Sequence, residues 1–304
     1  MSRDMDPRPR ESERPNPSQG SRGGGSDLQV RSPSDHRDVF ARDLDLPRGA
    51  ERELVWVRTK PVDLSGSDVK TLATVGAFRV VSASDLRTES RDLRHLRDAG
   101  LVRTMAHVKG RDRTMLVTLT EEGRTLLENA RHPAQEQVRQ EFYAGIVKPR
   151  ELAHDSRLYE AYLLSTERLS TTGARVRRVV LDYELKRDYQ RFLHEENRAR
   201  RDSGGKPNDD GAAVAEWARS HQLPVIDDHV RFPDVRIEYE DRDGRDRVED
   251  IEVSTPHYRG AHRAATAQSG FTTYRAVGAR LGGGARGARG GGSFDPRVAE
   301  EVLG

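Results

Sequence analysis

Between residues 63 and 131 the apolar pattern switches from a helical to a strand period and back, and that succession restricts the chain to few folds. Val69, Leu72, Ala73, Val75 and Phe78 recur close to the helical period. Ser82-Ala83-Ser84 reads as a turn, with Ser84 placed to cap a short helix holding Asp85 and Leu86. Residues 88–99 return to helical spacing with Leu93 and Leu96 apolar, and Gly100 stands where a left-handed helix cap belongs. Two strand-like runs follow, residues 101–108 and 114–119, joined by Lys109-Gly110-Arg111-Asp112-Arg113. Thr120-Glu121-Glu122-Gly123 then opens a helix with a hydroxyl cap and an acidic first turn, and Leu126-Leu127 point it at the core. Three short helices and a hairpin with a basic tip outline a helix-turn-helix with a wing.

The charges on this outline suggest what it meets. Arg87, Arg91 and Arg94 fall at i, i+4 and i+7, on one face of the second helix of the motif and away from Leu93 and Leu96. Lys109, Arg111 and Arg113 sit on the wing. Arginine on a recognition helix bonds guanine edges bidentately, while a wing grips phosphate or the minor groove. These six residues are the DNA-binding candidates, and double-stranded DNA is the expected partner. In the opposing reading Glu89, Asp92 and Asp98 pair with the arginines as an ordinary solvated face, and the module binds protein. Asp98-Ala99-Gly100-Leu101-Val102 followed by Leu119-Thr120-Glu121-Glu122-Gly123 resembles the MarR/PadR type of winged-helix regulator, over about a quarter of the chain.

Composition sets the limits elsewhere. Of 304 residues, 34% are hydrophobic and 34% charged, so parts of the chain bury too little apolar surface to offset their ordering entropy. Residues 1–50, rich in Arg, Asp, Ser, Pro and Gly, are expected to be a disordered arm, and residues 281–304 a flexible Gly/Arg-rich tail able to touch phosphates. Gly282, Gly284 and Gly287 match a dinucleotide-binding spacing, but further glycines and Phe294-Asp295-Pro296 follow where the fingerprint needs a helix. The net charge of +2 comes from 52 Lys+Arg against 50 Asp+Glu, so any attraction to polyanions depends on local clustering. The absence of cysteine excludes disulfides, thiolate zinc sites and a cysteine nucleophile. Residues 1–14 are charged where a signal peptide needs an apolar run, and no stretch approaches the ~20 apolar residues of a membrane span. The expectation is a soluble protein of the bacterial cytoplasm with no membrane partner.

Residues 132–170 read as mostly helical and broken at Pro149, with Phe142, Ile146, Leu152, Leu158, Tyr159, Tyr162 and Leu163 apolar. This is a helical linker or a dimerisation region, and a homodimer is the matching expectation. Residues 175–280 change texture. A strand at Val176 and Val179-Val180-Leu181 precedes a charged helix over 184–201 carrying Tyr189, Phe192 and Leu193, then a loop over 204–211 and a helix over 212–221 with Trp217. Strands over 230–239, 247–254 and 271–277, with a turn at Asp243-Gly244 and a helix over 259–268, complete an α/β domain with a mixed sheet. The fold class is therefore α/β (mixed): a winged helix-turn-helix, a helical linker and a second α/β domain.

Pro233-Asp234 at a strand start, with Asp250-Ile251-Glu252 on the next strand, resembles a PD-(D/E)XK nuclease core. The resemblance implies that Asp234 and Glu252 hold Mg²⁺ beside a scissile phosphate, with a lysine two positions beyond orienting the water. That slot is Ser254, no lysine follows in the chain, and His257 and Arg259 are the substitutes at hand. The alternative makes Asp234 a turn residue and Glu252 a solvent-facing strand residue. A winged helix, then His154-Asp155, then Pro233-Asp234 and Glu252, over roughly residues 65–280, is similar to the replication-relaxation family associated with mobile elements.

That similarity implies a DNA-binding accessory or regulatory protein in replication, plasmid mobilisation or transcription control, with a relaxase or replication protein as partner. It also implies a nuclease-like domain that has lost activity, hence no catalytic residue, metal or cofactor. The rival is a metal-dependent nuclease using Asp234, Glu252 and Mg²⁺. The histidines form no metal signature, since His257 and His262 are five apart and no H-E-x-x-H occurs. Nor is there a nucleophile elbow or a P-loop.

Overall fold

The computed structural model describes residues 35–109, 112–132, 139–146, 151–202, 211–254, 268–275 and 293–294. The first elements are α1 (Asp38–Ala41), β1 (Glu53–Val57), β2 (Lys60–Leu64) and α2 (Gly66–Phe78). They are followed by β3 (Val81–Ser82), α3 (Ser90–Asp98), β4 (Val102–Lys109), β5 (Asp112–Leu119) and α4 (Glu121–Asn129). Ser65 and Asp68 start α2 by bonding each other's backbone amide, at 3.2 and 3.0 Å. Helix α3 stops at Gly100, whose φ of 80° lets its amide reach the Arg97 carbonyl at 2.9 Å while Leu101 reaches that of Leu96 at 3.0 Å. Leu96 and Leu101 are both fully buried, the apolar contact that accompanies this kind of stop. Thr120 caps α4 by accepting from the Gly123 amide at 3.0 Å. Gly123 itself is forced, because a Cβ there would lie 2.2 Å from the Leu101 carbonyl oxygen. Strands β3, β5 and β4 form an antiparallel sheet in that order.

Two expectations fail here. No helix forms at Asp85-Leu86: Ala83 continues the sheet by donating to the Met115 carbonyl, and Asp85 closes a turn onto Ser82. Ser84 is spent on Ser82 and Asp85 instead of capping, and Leu86 is drawn into the core. Residues 35–50, taken as part of a disordered arm, are ordered. Phe40 and Leu44 are buried, Leu44 pairs with Arg131, and Arg37 reaches the hydroxyls of Thr71 and Thr88. Two apolar side chains four apart, amid polar ones, are enough to fasten the segment. Residues 1–34 lie outside the described residues, as does all but Ser293 and Phe294 of the expected tail.

The second half contains α5 (Leu152–Thr171), β6 (Arg175–Leu181), α6 (Asp182–Asp202) and α7 (Gly211–Ser220). A small hairpin, β7 (Val225–Ile226) and β8 (His229–Val230), precedes β9 (Val235–Glu240), β10 (Asp246–Ser254), β11 (Thr272–Arg275) and β12 (Ser293–Phe294). The sheet runs β12-β11-β10-β9-β6, with β10 and β11 parallel and the other pairs antiparallel, so it is mixed. The helix expected over 259–268 lies outside the described residues except for its last position. Phe142, expected on a helix, is buried in an irregular segment under the Arg131 guanidinium, 4.9 Å from the ring centre.

One apolar core joins both halves, from Phe40, Phe78 and Leu127 to Tyr159, Tyr162, Ile237, Ile251 and Tyr274. Phe78 touches Phe40, Tyr159 and Tyr162 at ring separations of 5.5, 5.1 and 5.2 Å. Leu158, Tyr159 and Tyr162, read in the sequence as candidates for pairing subunits, are consumed by this core. Strand alternation sends Val179 into it and Val180 to the opposite face, where Leu185, Val214, Ala218 and Trp217 form a second cluster under α6 and α7. Among the described residues no helix is long and apolar enough to cross a membrane.

Candidate functional site

Helix α3 rests on Leu96 and turns arginines outward. Arg91 is 81% exposed and only loosely paired, with Glu89 at 3.8 Å and Asp92 at 3.9 Å. Asp92 is held by Arg52 at 2.8 Å. Arg94 is exposed and has no hydrogen bond or ion pair among the described residues. Arg87 corrects the sequence reading: it is exposed but precedes the helix cap at Glu89, so it does not share the helical face of Arg91 and Arg94. His95 anchors the far end of α3 through its Nε2, 2.7 Å from the Asp63 carbonyl. On the hairpin, Lys109 ends β4 opposite Asp112, and Arg113 is exposed at the start of β5. Arg111 and the Lys109 side chain lie outside the described residues. Arg103, which the sequence reading passed over, adds an exposed arginine on β4.

The carboxylates form the second site. Strands β9 and β10 pair as far as Val235 and Ile251, and Asp234 and Glu252 are the residues next beyond that last pair. Asp234 Oδ2 accepts from the Val253 amide at 2.7 Å and lies 3.0 Å from His154 Nε2. His154 Nδ1 is 3.5 Å from Asp155, which Arg79 approaches at 3.8 Å. Burial disfavours charge on the His154 ring, but hydrogen bonds to Asp155 and Asp234 and their negative charges outweigh it, and its pKa rises to about 10. Burial, reinforced by the Asp234 charge, pushes the Glu252 carboxyl up to about 8, against the pull of His154 and Lys186. Near neutrality the site is thus an imidazolium on a carboxylate, beside a largely uncharged Glu252.

Sequence reading found two of these residues as a pair and named His154-Asp155 without a role. It missed Lys186. That lysine, one helical turn into α6, is 2.7 Å from Asp182, whose amide donates to the Asp234 carbonyl at 3.3 Å. A search for a lysine after Ser254 could not find one that arrives from an earlier helix. The only signal was Asp182 and Lys186 at i, i+4 just past a strand. His257 and Arg259 lie outside the described residues.

The residues do not fit Mg²⁺ as they stand. Asp234 Oδ2 already serves two donors, one of them cationic, and Glu252 must lose a proton to ligate. Among the described residues no three His, Cys, Asp or Glu side chains converge as a metal cluster. Compared with family models, curated proteins and solved structures, the chain matches none.

Proposed function

We propose that this chain is a DNA-binding accessory or regulatory protein of a mobile element, working in the cytoplasm in replication, mobilisation or transcription control. In this reading residues 63–131 are a winged helix-turn-helix and the mixed sheet is a nuclease-like domain without activity. The observation that carries it is α3, buried through Leu96 and presenting Arg91 and Arg94 to solvent, Arg94 without any partner among the described residues. Two arginines a turn apart on an exposed helix face suit the edges of neighbouring base pairs. The order α5, β6, β9, β10, β11, with Asp234 and Glu252 next to the Val235–Ile251 pair, supports the nuclease-like reading. A charged His154 on Asp234 supports its silence, since it neutralises the carboxylate a metal would need. A relaxase or replication protein is the partner this role calls for.

Mobility shifts on duplex DNA flanking the gene and on scrambled duplex test it. Arg91→Ala with Arg94→Ala is expected to abolish the preference for specific DNA, at ~1–3 kcal/mol for each bidentate pair removed. An undiminished preference removes α3 as the reading element.

One observation favours a metal-dependent nuclease instead: Lys186 stands on α6 beside Asp182, whose amide bonds the Asp234 carbonyl, so this lysine is the candidate for the work of the absent one. Incubating plasmid with the protein and Mg²⁺ separates the readings. No cleavage above background is expected. Nicking that disappears in Asp234→Ala, Glu252→Ala and Lys186→Ala would put the nuclease first.

A further inference from the structure

A polar cleft lies between the turn after β3, strands β4 and β5, and α5. It has a volume of about 170 Å³ and is lined by Ser82, Ser84, Asp85, His107, Thr114 and Glu160, with Arg157 and the apolar Leu116 and Ala153 among its other walls. An apolar cavity of ~150 Å³ holds a benzene-sized molecule, so the space takes one small ring.

Its chemistry is lopsided. Glu160 is engaged by Arg157 at 2.7 Å, whereas Asp85 accepts only a 3.1 Å hydrogen bond from Ser84 and has no ion pair among the described residues. Burial and then the Glu160 charge raise the Asp85 pKa against the Ser84 hydrogen bond and the Arg157 charge, so an occupant that brings a positive charge favours the ionised carboxylate. Arg157 is paired with Glu160, which leaves Asp85 as a carboxyl of the lining with no ion pair among the described residues.

We propose that this cleft binds a small organic cation, an amidinium or protonated amine on a flat ring, whose N–H groups bond Asp85. The ring lies against Leu116 and Ala153. The occupant touches the turn that leads into α3 and both strands of the hairpin, yet its binding does not depend on whether α3 meets DNA.

Benzamidine is the probe, with benzoate as its anionic isostere, in calorimetry and amide chemical-shift titrations on the full chain. Benzamidine is expected to saturate at millimolar concentration or below, to shift amides of residues 82–86, 107 and 114, and to bind at least ten times more weakly to Asp85→Asn. Benzoate is expected not to bind. Ser156→Phe, which fills the cleft from α5, should abolish binding, and an unchanged thermal midpoint in either variant shows that the fold persists. Should a variant unfold, the wild-type shift map and the benzoate comparison still decide. No saturation, shifts that fall elsewhere, equal binding of benzoate, or full affinity in a folded Asp85→Asn would each overturn the proposal.

Discussion

The exposed arginines of α3 and the hairpin live differently from Arg236, Arg178 and Arg187 in the second half. On α3 and the hairpin, Arg91, Arg94, Arg103 and Arg113 face solvent, and Arg91 has only carboxylates at nearly 4 Å. In the mixed sheet, Arg236 is buried and grips Asp250 at 2.7 and 2.8 Å while donating to the carbonyls of His221 and Gln222. Arg178 bonds Glu184, and Arg187 bonds Glu141. A buried guanidinium is tolerated only when its donors are matched, and matched donors have nothing left for a ligand. Arg236 thus spends its donors on holding a strand in place, whereas Arg91, Arg94, Arg103 and Arg113 keep theirs available. Near-zero net charge conceals this division, because the same residue types do both.

Substitutions in the two regions sharpen the contrast. Arg236→Ala strands Asp250 and should cost ~3–5 kcal/mol, read as a lower urea midpoint, whereas Arg94→Ala should change stability by no more than ~0.5 kcal/mol. Equal losses would mean that α3 is held by charge after all.

The next effect belongs to pH. The His154 pKa is raised from 6.5 to about 10, so its contribution is complete below 6.5 and drains away as pH climbs to about 10. Glu252 is raised from 4.5 to about 8, and because the folded state favours its proton, stability also falls with rising pH from 4.5 to about 8 and no further. The thermal midpoint should decline by several degrees between pH 6.5 and 10, and His154→Gln should flatten the part above pH 8. Parallel curves for the two proteins would show that the imidazolium does not hold Asp234.

Smaller again is the cap of α4. Thr120→Ala removes the acceptor for Gly123 and should cost ~1 kcal/mol. The smallest change in stability, near zero, is expected for Arg103→Ala with Arg113→Ala. If these arginines meet phosphates, the pair should flatten the salt dependence of DNA binding by ~0.9 for each phosphate that is no longer neutralised. An unchanged slope would take the hairpin off the DNA.

Much of the backbone was legible from local pattern. The helical period of α2, the stop at Gly100, the cap at Thr120 and the strand runs of β4, β5, β6 and β10 depend on neighbours within a turn or a hairpin, which a linear reading can follow. The candidate site was half legible, since Asp234 and Glu252 adjoin the Val235–Ile251 pair of two antiparallel strands joined by a short turn. What lay hidden was long-range. His154 reaches Asp234 across 80 positions, Lys186 arrives from an earlier helix, and Phe40 fastens a polar segment by reaching Phe78.

The sequence by itself determined the helical period of α2, the stop of α3 at Gly100 and the cap of α4 at Thr120, because caps and backbone dihedrals there answer to the nearest few residues. Only the tertiary structure decided that Asp85-Leu86 is a turn, that Arg87 leaves the helical face, and that the partly buried Asp234 is met by His154. Burial and charge pairing are settled by whichever segments the sheet order and the shared core bring together, and separation along the chain carries almost no information about that.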